Sequence, residues 1–63
     1  MNLKPRDVEN IKIAMVRKYG SVNFTKLAEE LKISRQSIYN AIDNKPYTEN
    51  IKIKLKEWLL ENA

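Results

Sequence analysis

The stretch that most constrains this chain runs from Asn23 to Asn44, NFTKLAEELKISRQSIYNAIDN. Its apolar residues recur at helical spacing, break, and recur again. It therefore reads as two short helices joined by a tight turn, roughly Phe24–Leu31 and Arg35–Ile42. Leu27, Ala28 and Leu31 fall on one stripe of the first helix, and Ile38, Ala41 and Ile42 on a matching stripe of the second. Lys32-Ile33-Ser34 connects them. Ile33 is the apolar residue of an otherwise polar connector and is expected to plug the space between the helices. Ser34 suits the N-cap of the second helix, with Ser37 at N3.

The flanks supply two more helices. The first is expected from Pro5 to about Tyr19. Proline suits the first helical position, Asp7 and Glu9 complement the dipole near its start, and Arg17 and Lys18 suit its end. Val8, Ile11, Met15 and Tyr19 make its stripe, which Ile13 and Val16 widen. Gly20, the single glycine, stands where a left-handed residue would end the helix. Asn23 is the expected N-cap of the next helix, with Thr25 as the alternative. After the third helix, Asp43-Asn44-Lys45-Pro46 reads as a loop, because Pro46 forbids continuation. Thr48 is expected to cap a last helix, about Glu49 to Glu61, with Ile51, Leu55, Trp58 and Leu59 toward the core and Ile53 and Leu60 elsewhere. The alternation Ile51-Lys52-Ile53-Lys54-Leu55-Lys56 would also suit a strand, but the residues after it continue at helical spacing. The expected fold is all-α, one compact domain of four helices, or five, containing a helix-turn-helix.

Composition narrows the function. Sixty-three residues make one small domain, and the chain has no cysteine and no histidine, so neither a disulfide nor a Cys/His zinc site staples it. No apolar run approaches the ~18 residues of a membrane span, and the N-terminus lacks the apolar region of a signal peptide. A cytoplasmic protein is expected. The net charge of +4 suits a polyanionic partner. Nothing in the sequence asks for a metal or a cofactor. An enzyme is not expected, since there is no phosphate-binding glycine loop and Glu29 and Glu30, adjacent on a helix, diverge by about 100°.

The acids are unevenly placed. Helices prefer Asp or Glu in the first turn, worth roughly 0.3–1 kcal/mol each. The first and last helices obey, with Asp7 and Glu9 in the one and Glu49 in the other. The middle two open instead with Phe24-Thr25-Lys26 and Arg35-Gln36-Ser37. Their free N–H groups are left available to an external anion such as phosphate.

The central stretch resembles the helix-turn-helix of the lambda-repressor/Cro (XRE-type) family of DNA-binding domains, among them phage Cro-type regulators. The matching residues are Leu27-Ala28, Leu31, Ile33-Ser34-Arg35, Ser37-Ile38 and Ile42-Asp43-Asn44. They cover about a third of the chain. One position departs: the family usually has glycine in the turn where this chain has Lys32, and a left-handed non-glycine costs roughly 1 kcal/mol. The family often has five helices, and here the fifth is missing or fused into the last. The resemblance implies a double-stranded DNA partner, a palindromic operator, in a bacterial cell or phage-infected host, with the Arg35–Ile42 helix in the major groove. It then implies base contacts from Arg35, Gln36, Ser37 and Asn40, with Ser34 and Tyr39 as further candidates. Phosphate contacts would come from Asn23, Thr25 and Lys26 before the second helix and from Lys45, Tyr47, Thr48 and Lys52 beyond the third.

Each assignment has a plainer counterpart. Ser34 caps a helix with or without DNA. Tyr39 could instead pack on the Asp43–Tyr47 loop. Lys52, Lys54 and Lys56 could be a solvated face. One helix face cannot bury Trp58, Leu59 and Leu60 in the same core, so Ile53, Trp58 and Leu60 are candidates for a dimer or partner surface; the alternative leaves Trp58 and Leu59 in the core and Leu60 simply exposed. Cro-like proteins usually bind two half-sites, which implies a homodimer, at least on DNA. The run Ser34–Ile42 also resembles part of some antitoxin components of addiction modules. The competing function is a protein-interaction module, such as an antirepressor or antitoxin, that grips a protein partner through exposed apolar residues near the C-terminus.

Overall fold

The computed structural model describes residues 2–62. Its four helices are α1 (Pro5–Tyr19), α2 (Phe24–Leu31), α3 (Arg35–Ile42) and α4 (Glu49–Asn62), with no strand among the described residues. α1 packs on α4, α2 on α3, and α3 on α4. Among the described residues, no helix is long and apolar enough to cross a membrane.

The core takes residues from every helix. Ile11, Met15, Leu27, Ile38 and Leu55 are almost wholly buried, and Ala14, Ala28, Ala41 and Trp58 join them. Val8, Tyr19, Leu31, Ile33, Ile42, Ile51 and Leu59 pack around this center half-buried. The stripes read from the sequence are thus the ones turned inward. Leu3, which precedes any helical pattern, is also in the core at 3% exposure. Asn44 holds it there. The Leu3 N–H donates to Asn44 Oδ1 (2.8 Å) and Asn44 Nδ2 donates to the Leu3 carbonyl (3.0 Å). The N-terminal strap is thereby pinned to the loop after α3.

Helix ends explain the turns. α1 closes on Gly20 (φ 86°), whose N–H bonds the Val16 carbonyl (2.9 Å). α2 and α3 both close with the two-bond arrangement of a left-handed residue after the helix. After α2, Lys32 N–H bonds Glu29 (3.2 Å) and Ile33 N–H bonds Ala28 (3.0 Å). After α3, Asn44 N–H bonds Ala41 (3.0 Å) and Lys45 N–H bonds Asn40 (2.9 Å). The left-handed residues are Lys32 (φ 58°) and Asn44 (φ 55°). Lys32 therefore does in this turn what glycine would do without a Cβ penalty, and the bond from Ile33 fixes its half-buried side chain between the helices.

A carboxylate ties α1, α2 and α4 together. Glu30 accepts from Lys18 Nζ (2.8 Å), Tyr19 Oη (2.7 Å) and Trp58 Nε1 (2.7 Å). The Tyr19 and Trp58 rings stack with centroids 6.2 Å apart. This corrects the placement of Trp58 on a partner surface. At 2% exposure it is a core residue, its indole N–H satisfied by Glu30. Leu60, by contrast, is 80% exposed and Ile53 is 42% exposed.

The bonds from Lys18, Tyr19 and Trp58 hold the Glu30 carboxyl below its ordinary range. Burial first, and Glu30 second, push the Tyr19 phenol up to about 12. The two shifts have opposite pH signatures. A depressed carboxyl stabilizes the fold above its ordinary pKa and loses that contribution as pH falls through its folded value. A raised phenol stabilizes below pH 10.0 and loses it as pH rises toward about 12. Thermal melts should therefore weaken at both extremes. Glu30→Gln should flatten the acid limb and cost on the order of 1 kcal/mol at neutral pH, the carboxyl being a third exposed. In Tyr19→Phe the phenolate absorbance that appears last in an alkaline titration should be missing. Lys32→Gly should relieve the left-handed strain and stabilize by a few tenths to about 1 kcal/mol in denaturant unfolding.

Candidate nucleic-acid interface

The starts of α2 and α3 form one polar surface. Asn23 precedes α2 in extended conformation, and its Oδ1 accepts the Lys26 N–H (3.0 Å). Ser34 does the same for α3, its Oγ accepting the Ser37 N–H (3.1 Å) with the two hydroxyls 2.9 Å apart. Both expected N-caps are therefore present, and both are neutral. Neither helix carries an acid in its first turn, whereas α1 has Asp7 and α4 has Glu49 there. Two helix starts with free N–H groups and no local counter-charge are left facing outward.

Side chains join the two starts. Arg35 Nη1 reaches Thr25 Oγ1 at 3.5 Å, a long contact that spans from α3 to α2. Thr25, Lys26, Arg35 and Gln36 are all exposed. Gln36 Nε2 donates to Asn40 Oδ1 (3.0 Å), one turn along α3. That bond leaves Gln36 its side-chain oxygen and a second amide hydrogen, the acceptor-donor pair that an adenine edge needs. Tyr39 has an aromatic neighbor on α2. Its ring lies edge-on to Phe24, centroids 5.2 Å apart, and it remains 42% exposed. The first residue of α2 thus anchors an aromatic ring on the outer face of α3.

Beyond α3 the expected phosphate contacts divide. Lys45 is exposed, and Tyr47 is fully exposed in a left-handed conformation (φ 66°). Thr48 and Lys52 sit otherwise than expected. Thr48 is 6% exposed, and its hydroxyl donates to the Lys45 carbonyl (2.6 Å), bracing the turn that precedes α4. Its own carbonyl accepts the Lys52 N–H (2.9 Å). Lys52 is 4% exposed with Nζ on Asn2 Oδ1 (3.3 Å), so its ammonium is spent on the N-terminal strap. Lys56 likewise is not free in solvent, being 3.3 Å from Asp7 Oδ1. The lysine alternation of α4 is therefore neither a uniform solvated face nor a continuation of the polar surface.

Asn44 and the Phe24–Tyr39 pair were not singled out for this surface from the sequence. An asparagine just past a helix and just before Lys45-Pro46 is the one local signal that would have marked Asn44 as a left-handed closing residue. The edge-on ring pair has no such signal, because its partners sit on different helices. Among the described residues, no group of three or more His, Asp, Glu or Cys is placed to hold a metal ion. No protein-family model, no curated protein and no solved structure matches this chain.

The cap has a consequence independent of any ligand. Ser34→Ala should cost about 1 kcal/mol in denaturant unfolding, because the Ser37 N–H loses its acceptor, and Ser34→Gly only a few tenths, because glycine at the cap leaves that N–H open to water.

Proposed function

We propose that this chain is a sequence-specific double-stranded DNA-binding regulator of helix-turn-helix type, akin to the lambda-repressor and Cro-like domains it resembles. The observation that carries this reading is the pair of acid-free, neutrally capped helix starts bridged by Arg35 and Thr25. A helix start without a counter-charge favors a bound anion, and two of them side by side favor a polyanion with spaced charges. The net charge of +4 acts in the same direction.

In this reading α3 enters the major groove. Gln36 pairs with an adenine edge, and Arg35 takes a guanine edge or clamps a phosphate. Asn40, held by Gln36, acts with it as one unit, while Ser37 and the half-exposed ring of Tyr39 border the same face. Asn23, Thr25 and Lys26 position the backbone at the start of α2, and Lys45 and Tyr47 do so past α3. Ser34 serves first as the cap. Thr48 and Lys52 drop out of the phosphate-contacting set because they are buried.

Selection from short duplexes with randomized cores, at moderate salt, tests the proposal. Wild type should enrich one defined site, and Gln36→Ala should relax the choice at one base position, a loss of about 1–3 kcal/mol of discrimination. Lys26→Ala should instead weaken all sequences alike and reduce the salt dependence by about one phosphate. If wild type enriches nothing above non-specific binding, the regulator reading fails. The interaction-module alternative would then be pursued with Ile53→Lys and Leu60→Lys.

A further inference from the structure

One side of the molecule is built by α1 and α4 alone. An open groove of about 440 Å3 runs between them, lined by Asn10, Ile13, Ala14, Arg17, Leu59 and Leu60. Toward the start of α1 a second cleft of about 650 Å3 has Arg6, Asp7 and Lys56 in its walls. Lys56 lies one helical turn before Leu59 and Leu60, so the two openings follow one another along one seam. α1 borders the seam with a single stripe. Arg6, Asn10, Ile13 and Arg17 recur at helical spacing, and the stripe holds no acid. Among the described residues neither arginine takes part in an ion pair. The one carboxylate in the walls, Asp7, is already held by Lys56 Nζ (3.3 Å) and the Lys4 N–H (2.9 Å). Between the arginines the lining is apolar and uncovered, with Ile13 45% and Leu60 80% exposed.

We propose that this seam binds an acidic amphipathic helix of another protein. Its apolar side chains seat between Ile13, Leu59 and Leu60, and one carboxylate pairs with each of Arg6 and Arg17. The walls are helix side chains with no free backbone edge. An extended segment would leave its own N–H and C=O groups unpaired there, whereas a helix satisfies them internally. From Arg6 to Arg17 the axis of α1 rises about 16 Å, so the matching acids stand about three turns apart on the incoming helix. A second copy of this chain is the wrong occupant by charge. A two-fold contact sets a patch against itself, which here brings arginine toward arginine. The surface is centered on α1, and Ile53 takes no part in it. No seam residue belongs to α2 or α3, so the site is separate from the proposed DNA surface and does not rest on that reading.

Amide NMR of the isotope-labeled full chain, titrated without DNA, tests it. The probe is a synthetic helical peptide with leucines along one face and a glutamate at each end of that face, about three turns apart. The control peptide carries lysines in place of the glutamates. The glutamate peptide should give saturable shifts at Ile13, Ala14, Arg17, Leu59 and Leu60, and the lysine peptide should bind at least about tenfold more weakly. Arg6→Glu should weaken the glutamate peptide by a similar factor, and binding should recover when the facing glutamate becomes lysine. An acid at that position suits the first turn of α1, so the variant keeps its helix. Equal affinity for the two peptides, or no saturable shift with either, overturns the proposal. So do shifts confined to Thr25, Lys26, Arg35 and Gln36, which would place the acids on the polar surface of α2 and α3. Seam shifts that grow with protein concentration alone would show a second copy there and overturn it as well.

Discussion

The structure depends on the crossing of α2 and α3, with α3 packed in turn on α4. Leu27 and Ile38 have essentially no contact with solvent, and the alanines at 28 and 41 are buried beside them. A methyl group is all that these two positions offer, which lets the helix backbones approach while the larger side chains fill the space around them. Two eight-residue helices would not persist alone in water, because helices that short rarely offset the cost of nucleation. Burial of their inner stripes in the core they share with Leu55 and Trp58 offsets that cost. A larger side chain at Ala28 or Ala41 would push apart the elements that carry the polar surface.

Given that crossing, the helix ends decide which groups face outward. Asn23 and Ser34 each satisfy one backbone donor with a neutral acceptor. The remaining N–H groups of both first turns stay available, and Arg35 bridges the two starts. At the opposite ends, Lys32 and Asn44 accept left-handed backbone so that the chain can reverse within a few residues. Asn44 does more, since its side chain also holds Leu3 in the core. The loop that follows the proposed reading helix is thus tied to a residue near the start of the sequence.

Polar chemistry divides between binding surface and scaffold in a way the residue types do not announce. Glu30 looks in sequence like a solvated helix acid, yet it accepts from three donors on two other helices. Lys52 looks like a surface cation on a basic stretch, yet its ammonium is enclosed beside Asn2. Gln36 and Arg35 look no different in kind and remain outward. The difference lies in whether a neighboring element covers the position.

The sequence by itself determined the four helices and their inner faces. It did so because helical spacing of apolar residues, Pro5, Gly20, Pro46 and the caps at Asn23 and Ser34 are local signals, each acting within a turn of the chain. It also determined that the middle two helices begin without acids. Only the tertiary structure decided that Leu3 is core, that Trp58 is buried against Glu30 rather than offered to a partner, that Thr48 and Lys52 are enclosed, and that Tyr39 leans on Phe24. Each of these is a contact between residues distant in sequence, and helical periodicity gives the direction of a side chain around its own axis but not what will be packed there.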